Sequence, residues 1–326
     1  MSDKQPPSLE QQTLTVQQAI DLAVQHHNSG DLAQAENIYQ QILGADPNQP
    51  QALHLLGVVA HQKGENNQAV TLIEKALTFI PESSQAYSNL GLTFQELGKL
   101  DEALSSFQKA ISINPKFVEA YNNLGIIFWR LGKLEAAVDS YQKTLNLDPK
   151  FPEAYNNLGI VLHILGQLDK AEENFRKALE FKQKFAEAYY NLGKVLQDTE
   201  KLEDAVFLYE KAIEFNPVYP EAHNNLGNAL RDLGKVKEAQ ASYRAALSHK
   251  PSYAEAHSNL ATTFQHLGQL KESEDAYRRA LTITPDLFEA HYNLGHVLQK
   301  LDRHEDAIAS YRKALELKSD YAEVHQ

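Results

Sequence analysis

Apolar residues recur along this chain at helical spacing. Between residues 118 and 151, Ala120, Leu124 and Phe128 lie on one face of a first helix. Gly132 then interrupts the pattern, and a second apolar face follows. The pattern therefore predicts two helices joined by a turn, with one apolar side that stacked neighbours can bury.

This hairpin pattern has a period of 34 residues, which predicts nine helix–turn–helix repeats. They are 16–49, 50–83, 84–117, 118–151, 152–185, 186–219, 220–253, 254–287 and 288–321. We expect residues 1–15 to form a flexible leader and 322–326 to begin a further repeat. A residue's position within its repeat is called its place, so Val118 and Pro152 both occupy place one.

Glycine and proline support this division. All of the chain's 15 glycines except Gly44 occupy place eight or place fifteen. Proline closes seven repeats at place thirty-two, with Gln183 and Ser319 as the exceptions. Small residues at places eight and twenty should let the two helices of a repeat approach closely, and large residues at place twenty-four should fill the remaining space.

The repeat VEAYNNLGIIFWRLGKLEAAVDSYQKTLNLDPKF resembles the tetratricopeptide repeat, with Thr144 where alanine is usual. The resemblance covers about residues 16–326. It implies an all-α fold, a right-handed α-solenoid whose first helices line a concave groove. Because such arrays serve many processes, the fold alone says little about function.

An asparagine occupies place six in seven consecutive repeats, and this set is called the asparagine row. Its members are Asn89, Asn123, Asn157, Asn191, Asn225, Asn259 and Asn293. Place six lies away from the apolar face, so it should point into the groove. An amide can donate and accept hydrogen bonds, and could hold a peptide backbone without reading its sequence. The alternative is that these asparagines bond within the stack and stabilise it.

The asparagine row resembles that of the repeat arm of O-linked N-acetylglucosamine transferases, which implies that it holds protein substrates. Place five varies more, so we interpret it as a tuning position. The opening segment 19–64 also resembles bacterial proteins in which such arrays precede a transferase domain. None of that family's transferase residues has a counterpart in this sequence.

Place nine should also face the groove, and its character changes along the chain. It is apolar in the early repeats, including Leu92, Ile126 and Ile160, and polar later. Trp129 and Arg130 follow Ile126, and both residue types are favoured anchors in interfaces. We expect repeats two to five to bind apolar side chains of a partner. The alternative is that Trp129 packs against the adjacent repeat.

A second polar row consists of glutamates at place two. Its members are Glu119, Glu153, Glu187, Glu221, Glu255, Glu289 and Glu323. Their position in the first helical turn favours an interaction with the helix dipole. The alternative is a groove lining that attracts cations.

The remaining chemistry argues against an enzyme in these residues. Place four holds His223, His257, His291 and His325. Equivalent residues of adjacent repeats lie about 10 Å apart, too far to share a zinc ion, so aromatic packing is expected. Three S-x-x-K sequences begin at Ser106, Ser140 and Ser310, where the period itself explains them. No phosphate-binding or nucleophile-elbow motif is present.

Composition limits the class of protein. The net charge of −12 argues against nucleic acid or an anionic membrane as the main partner. The absence of cysteine excludes disulfides and thiolate metal sites. With neither a secretory signal nor an apolar run long enough to span a bilayer, we expect a cytoplasmic location. Because AEVHQ starts a repeat that stops, the sequence also predicts a piece of a longer protein or a frayed last hairpin.

These observations predict a non-enzymatic scaffold, without cofactor or metal, that binds extended peptide segments of partner proteins in its groove. The predicted contact residues are the asparagine row together with Leu92, Ile126, Trp129, Arg130 and Ile160. The alternative function is the substrate-recognition region of a glycosyltransferase of the O-linked N-acetylglucosamine class, or another transferase, whose catalytic domain lies elsewhere.

Overall fold

The structure, a computed structural model, describes the backbone of residues 14–324 and the side chains of residues 14–318. Eighteen α-helices and no strand occur within this range, so the predicted all-α organisation of helix–turn–helix repeats is confirmed. None of these helices is both long and apolar enough to cross a membrane.

The first helix of every repeat begins at place one. These helices are α1 (Val16–Asn28), α3 (Pro50–Gln62), α5 (Ser84–Glu96), α7 (Val118–Arg130), α9 (Pro152–Ile164), α11 (Ala186–Asp198), α13 (Pro220–Asp232), α15 (Ala254–His266) and α17 (Phe288–Lys300). The second helices are α2 (Leu32–Ala45), α4 (Asn66–Leu77), α6 (Leu100–Ile113), α8 (Leu134–Leu147), α10 (Leu168–Phe181), α12 (Leu202–Phe215), α14 (Val236–His249), α16 (Leu270–Ile283) and α18 (His304–Val324).

The two ends of the array differ in detail from the sequence expectation. Thr15, placed in the predicted leader, caps α1, since its hydroxyl accepts from the Gln18 backbone N–H while the Gln18 side chain accepts from Thr15 N–H. Residues 1–13 of the leader lie outside the described residues. At the other end, α18 continues as one helix through the position where a further repeat was expected to begin.

The turn between the two helices of each repeat requires a left-handed backbone at place fifteen. Seven repeats have glycine there, with φ between 71° and 84°. Glu200 (φ 59°) and Asp302 (φ 54°) adopt the same conformation without glycine's freedom. The turn geometry is therefore kept even where the sequence makes it costly.

The core of each repeat lies where place eight of the first helix meets place twenty-four of the second. A Cβ atom at Gly159 would lie 2.7 Å from Cε1 of Phe175, which is fully buried. The other place-eight glycines have the same relation to a tyrosine, phenylalanine or isoleucine. The predicted pairing of a small residue with a large one therefore sets how closely the helices approach.

The chain divides into two compact halves, residues up to Pro149 and residues from Lys150. The first half contains repeats one to four, and the second contains repeats five to nine. Within each half, successive helices pack on one another, and each first helix also contacts the first helix of the next repeat. Within each half, these contacts bring the place-two residues of adjacent first helices near one another, and likewise the place-six residues.

Candidate functional site

The seven side chains of the asparagine row are all half-buried. They lie in the middle of the first helices, opposite the small and large residues of the core. A half-buried amide is both held by the protein and open to solvent, so the exposure alone is compatible with either predicted role.

Hydrogen bonds link the asparagine row from one repeat to the next. Asn191 Nδ2 donates to Asn156 Oδ1 at 3.1 Å, and Asn259 Nδ2 donates to Asn224 Oδ1 at the same distance. In the first half, Asn89 Nδ2 lies 2.9 Å from Nε2 of His54. Each bond joins place six to place five of the preceding repeat, so these asparagines stabilise the stack, as the alternative interpretation proposed.

Place five is consequently more than a tuning position. Asn156 and Asn224 are 3% and 0% exposed, and Ser88 is also buried. In repeat six the place is taken by Tyr190, whose hydroxyl accepts from Asn225 Nδ2 at 3.1 Å. The residue type varies because an amide, a hydroxyl or a neutral imidazole can each accept the bond.

In the second half, this hydrogen bonding reaches the glutamate row. Buried Asn224 donates to Glu255 Oε1 at 3.0 Å while accepting from Asn259. Burial raises the pKa of Tyr190 to about 12, and the charges of Glu221 and Glu255 add to the rise. A connected polar surface thus covers repeats six to eight, with carboxylates along one side.

The predicted apolar contacts occupy partly exposed positions. Leu92, Ile126 and Ile160 are half-buried, and Leu92 packs against the core cluster of the first half. Trp129 keeps 39% of its surface exposed. Arg130 is exposed, and its Nη1 lies 3.4 Å from the backbone oxygen of Gln95 in the preceding repeat. Much of Trp129 is therefore available to a partner.

Two members of the glutamate row bind lysine within their own repeat. Lys182 Nζ lies 2.7 Å from Glu153 Oε1, and Lys250 Nζ lies 3.0 Å from Glu221 Oε1. Partial burial acts to raise the pKa of the Glu221 carboxyl, but the hydrogen bonds from Lys250 and from the Glu221 backbone N–H together hold it below its usual range. The row thus forms specific ion pairs in addition to its position at helix starts. Of Glu323, only the backbone is described.

The place-four histidines bond to the backbone of the preceding repeat. Nε2 of His257 lies 3.0 Å from the carbonyl oxygen of Pro251, and Nε2 of His291 lies 2.8 Å from that of Pro285. His223 has the same arrangement and also stacks on His249. The packing expected from the sequence is therefore joined by a hydrogen bond to the closing proline. His325 lies outside the described residues.

The S-x-x-K serines take part in helix bonding. The hydroxyls of Ser106 and Ser140 donate to the carbonyl oxygens of Glu102 and Ala136, four residues earlier. This bond explains why a small hydroxyl residue fits the buried side of the second helix. Among the side chains of residues 14–318, no group of three or more metal-binding residues comes together.

A cleft between second helices was not predicted. It is lined by residues of α14, α15 and α16, including Leu260 and Phe264 of α15. Arg244 lies 5.7 Å from the centroid of the Phe264 ring, and Arg279 and Asp275 also line the cleft. Sequence patterns do not reveal this cleft because it depends on the spacing of helices from adjacent repeats.

Comparison with known proteins settles the family. Sequence profiles described as TPR repeat or tetratricopeptide repeat match residues 27–90, 94–132, 130–166, 152–217, 224–288 and 288–321. The chain belongs to the tetratricopeptide repeat family. The resemblance seen in the sequence is therefore confirmed for the repeats, and the solenoid class that it implied is confirmed with it.

Solved tetratricopeptide repeat structures share the fold. The Cut9–Hcn1 hetero-tetramer of APC/C aligns with 82% of this chain at 21% identity and a TM-score of 0.65. This chain spans about half (52%) of the Cut9–Hcn1 chain that it matches. Pseudomonas aeruginosa pilF aligns with 64% of this chain and 94% of its own, at 20% identity and a TM-score of 0.59.

A third solved structure is YrrB, a tetratricopeptide repeat protein described as having an unusual peptide-binding site. It covers 57% of this chain and 96% of its own, at 28% identity and a TM-score of 0.49. No curated protein matches the sequence. The likeness to Cut9–Hcn1 and pilF shows the repeat fold of this chain.

Proposed function

We propose that this protein is a scaffold that holds extended segments of partner proteins along its first helices. The observation that carries the proposal is the asparagine row, which is half-buried in every repeat where it occurs. Asn191 and Asn259 each use one N–H in the bond to the preceding repeat. A side-chain amide has two N–H groups and an acceptor oxygen, so bonding capacity remains for a peptide.

The two roles of the row support each other. The bond to the preceding repeat fixes the orientation of the amides of Asn89, Asn191, Asn225 and Asn259, which lowers the entropy cost of binding a ligand. A fixed amide can then bond to the N–H and C=O groups of an extended backbone, whatever its side chains are. The row thus supplies affinity for extended segments in general.

Selectivity comes from the side chains beside the row. In the first half, Leu92, Ile126 and exposed Trp129 offer apolar contacts, and Arg130 adds a cation. In the second half, Ile160 is followed by polar residues at place nine. Apolar side chains of the partner are therefore expected to bind in the early repeats.

The test begins with peptides selected from a random library against the full chain. For a selected peptide, Asn123→Ala combined with Trp129→Ala should weaken binding at least about tenfold, as loss of an anchor and its neighbour does. Asn174→Ala is the matched control, because Asn174 lies on second helix α10 and bonds to its own helix. Binding that survives the double substitution refutes the proposal.

A second measurement separates backbone recognition from sequence recognition. N-methylation of alternate peptide bonds should weaken binding more than alanine substitution of the same residues, since it removes backbone donors. If the asparagines serve the stack alone, Asn191→Ala will lower thermal stability and leave peptide affinity unchanged.

The alternative function is substrate recognition for a transferase of the O-linked N-acetylglucosamine class. It rests on the likeness of the asparagine row, found in seven consecutive repeats. It uses the same peptide contacts and stays a prediction. Co-purification of the native protein with glycosyltransferase activity would favour this alternative. A native complex that retains partner binding but has no glycosyltransferase activity would count against it.

A further inference from the structure

Three consecutive repeats of the second half share a glutamate at place two and an aromatic ring at place thirty-four. The pairs are Glu153 with Phe185, Glu187 with Tyr219, and Glu221 with Tyr253. Each glutamate lies in the first turn of its repeat, and each ring immediately precedes the next first helix.

In repeats five and seven, a lysine at place thirty-one contacts both the glutamate and the ring of this pair. Lys182 Nζ lies 2.7 Å from Glu153 Oε1 and 4.3 Å from the centroid of the Phe185 ring. Lys250 has the same arrangement, 3.0 Å from its glutamate and 4.7 Å from its ring. The chain thus shows twice that this combination of carboxylate and ring binds an ammonium group.

Repeat six has the carboxylate and the ring without the lysine. Asn216, an exposed neutral residue, stands at place thirty-one. Glu187 is exposed and has no ion-pair partner among residues 14–318. A second aromatic ring lies beside that of Tyr219, because the centroid of the Tyr190 ring is 5.0 Å from the centroid of the Tyr219 ring.

The pKa of the Tyr219 hydroxyl is raised, in agreement with this arrangement. Burial is the main cause of its rise, and the charges of Tyr190, Glu187 and Glu221 add to it. Lys194 Nζ is 5.9 Å from the Tyr190 centroid, near the limit of a cation–π contact, and pairs with no carboxylate in the described residues. Lys194 therefore leaves Glu187 available.

We propose that Glu187, Tyr219 and Tyr190 bind a lysine or arginine side chain of a protein partner, in the position that Lys182 and Lys250 occupy in the flanking repeats. The carboxylate would accept a charge-assisted hydrogen bond while the rings face the cation. This inference rests on the proposed function, and it assigns a chemical class to one part of the bound segment. The chain's net charge of −12 favours the same class of partner.

The test uses a fluorescein-labelled octapeptide of alternating glycine and lysine, with its glycine–glutamate counterpart as the negative probe. Fluorescence anisotropy is measured on the full chain and three variants that each raise the net charge by one. Glu187→Gln removes the acceptor, and Asn216→Lys supplies the missing lysine from within the repeat. Ala241→Lys is the control, because Ala241 is exposed on second helix α14.

We expect Glu187→Gln and Asn216→Lys each to weaken binding about fivefold, a size typical of partly exposed charge and cation–π contacts. The double variant should be no weaker than either single variant, because both act on one site. Ala241→Lys should change affinity less than about twofold, as an isolated surface charge does. Circular dichroism checks that each variant is folded.

Equal weakening by Asn216→Lys and Ala241→Lys would overturn the inference, since it would show diffuse attraction to an acidic surface. Unchanged binding by Glu187→Gln would overturn it as well. This inference alone would be refuted if the affinity of a selected peptide required Asn123 and Trp129 but was unchanged by Asn216→Lys. The proposed function alone would be refuted if substitutions in the asparagine row left the affinity of a selected peptide unchanged while Glu187→Gln weakened binding of the lysine probe.

Discussion

Two kinds of contact hold this array together, and they differ in how much variation they accept. Within repeat five, Gly159 faces the ring of Phe175, and added volume at place eight has no room. Between repeats five and six, Asn191 bonds to Asn156 through half-buried polar groups. The first contact allows only small residues, whereas the second accepts asparagine, tyrosine or histidine as the partner.

Variation at a place therefore does not measure its structural importance. Packing contacts depend on volume, so they restrict the residue type directly. A hydrogen bond requires only a suitable acceptor at the correct distance, so several residue types satisfy it. Place five varies for this reason while carrying the bond between neighbouring first helices.

The largest predicted effect removes the packing contact. Phe175→Ala should destabilise the second half by about 3–5 kcal/mol, as large-to-small substitutions of buried rings do. Gly159→Ala alone should cost about 1–3 kcal/mol from overpacking against the ring. In the Phe175→Ala background, Gly159→Ala should instead stabilise by up to about 1 kcal/mol, through helix propensity. Urea denaturation and hydrogen exchange of α9 and α10 measure these changes, and additive effects would contradict the proposed contact.

A smaller loss is expected from breaking the polar contact at its most buried point. Asn224→Ala should cost about 2 kcal/mol, because it leaves Asn259 N–H and the Glu255 carboxylate without their buried partner. Asn191→Ala, which removes one half-buried donor, should cost about 1 kcal/mol. Thermal unfolding of both variants tests the order, and an Asn224→Ala effect below that of Asn191→Ala would contradict it.

The first half should show a pH dependence that the amide pairs lack. Asn89 Nδ2 donates to His54 Nε2, so this imidazole must be neutral, and burial lowers the pKa of His54. The folded state then binds a proton less readily than the unfolded state, where histidine has a pKa of about 6.5. The contribution of the Asn89–His54 hydrogen bond to folding stability is therefore complete above the pKa of unfolded histidine. It declines as the pH falls below that pKa.

His54→Asn would replace the imidazole with an amide, as in repeats five and seven. The wild type should lose more stability than this variant between neutral pH and pH 5, as measured by hydrogen exchange in α3 and α5. Equal losses would show that the His54 bond is not the pH-sensitive contact.

The smallest effect concerns the turn between the helices. Glu200 adopts a positive φ where most repeats have glycine, so Glu200→Gly should stabilise the second half by about 0.5–1 kcal/mol. Asp302→Gly should gain less, because aspartate tolerates this conformation better than glutamate. Thermal denaturation distinguishes the two, and destabilisation by Glu200→Gly would contradict the argument.

Most of the fold could be predicted from the sequence because its punctuation is periodic. Glycine at place fifteen and proline near place thirty-two mark the helix ends, and the observed first helices start at place one throughout. The capping role of Thr15 was missed, because Thr15 was assigned to the leader although Thr15 and Gln18 have capping-box spacing.

The candidate site was predicted less completely. The sequence identified the asparagine row, yet the bond from Asn191 to Asn156 depends on the axial offset between adjacent helices. Helical period alone does not determine that offset. The Lys250 pair with Glu221 was hidden for a different reason, because its residues stand at opposite ends of one repeat.

The bond between neighbouring first helices also bears on how such a gene can change length. Each bond spans 35 residues, one more than the period, and always joins place six to place five of the preceding repeat. Deletion of residues 186–219 would bring Asn225 to Asn156, in the role that Asn191 now has. Unequal recombination that removes or duplicates whole repeats therefore restores a compatible junction, so the array can be shortened or lengthened in evolution without redesigning its contacts.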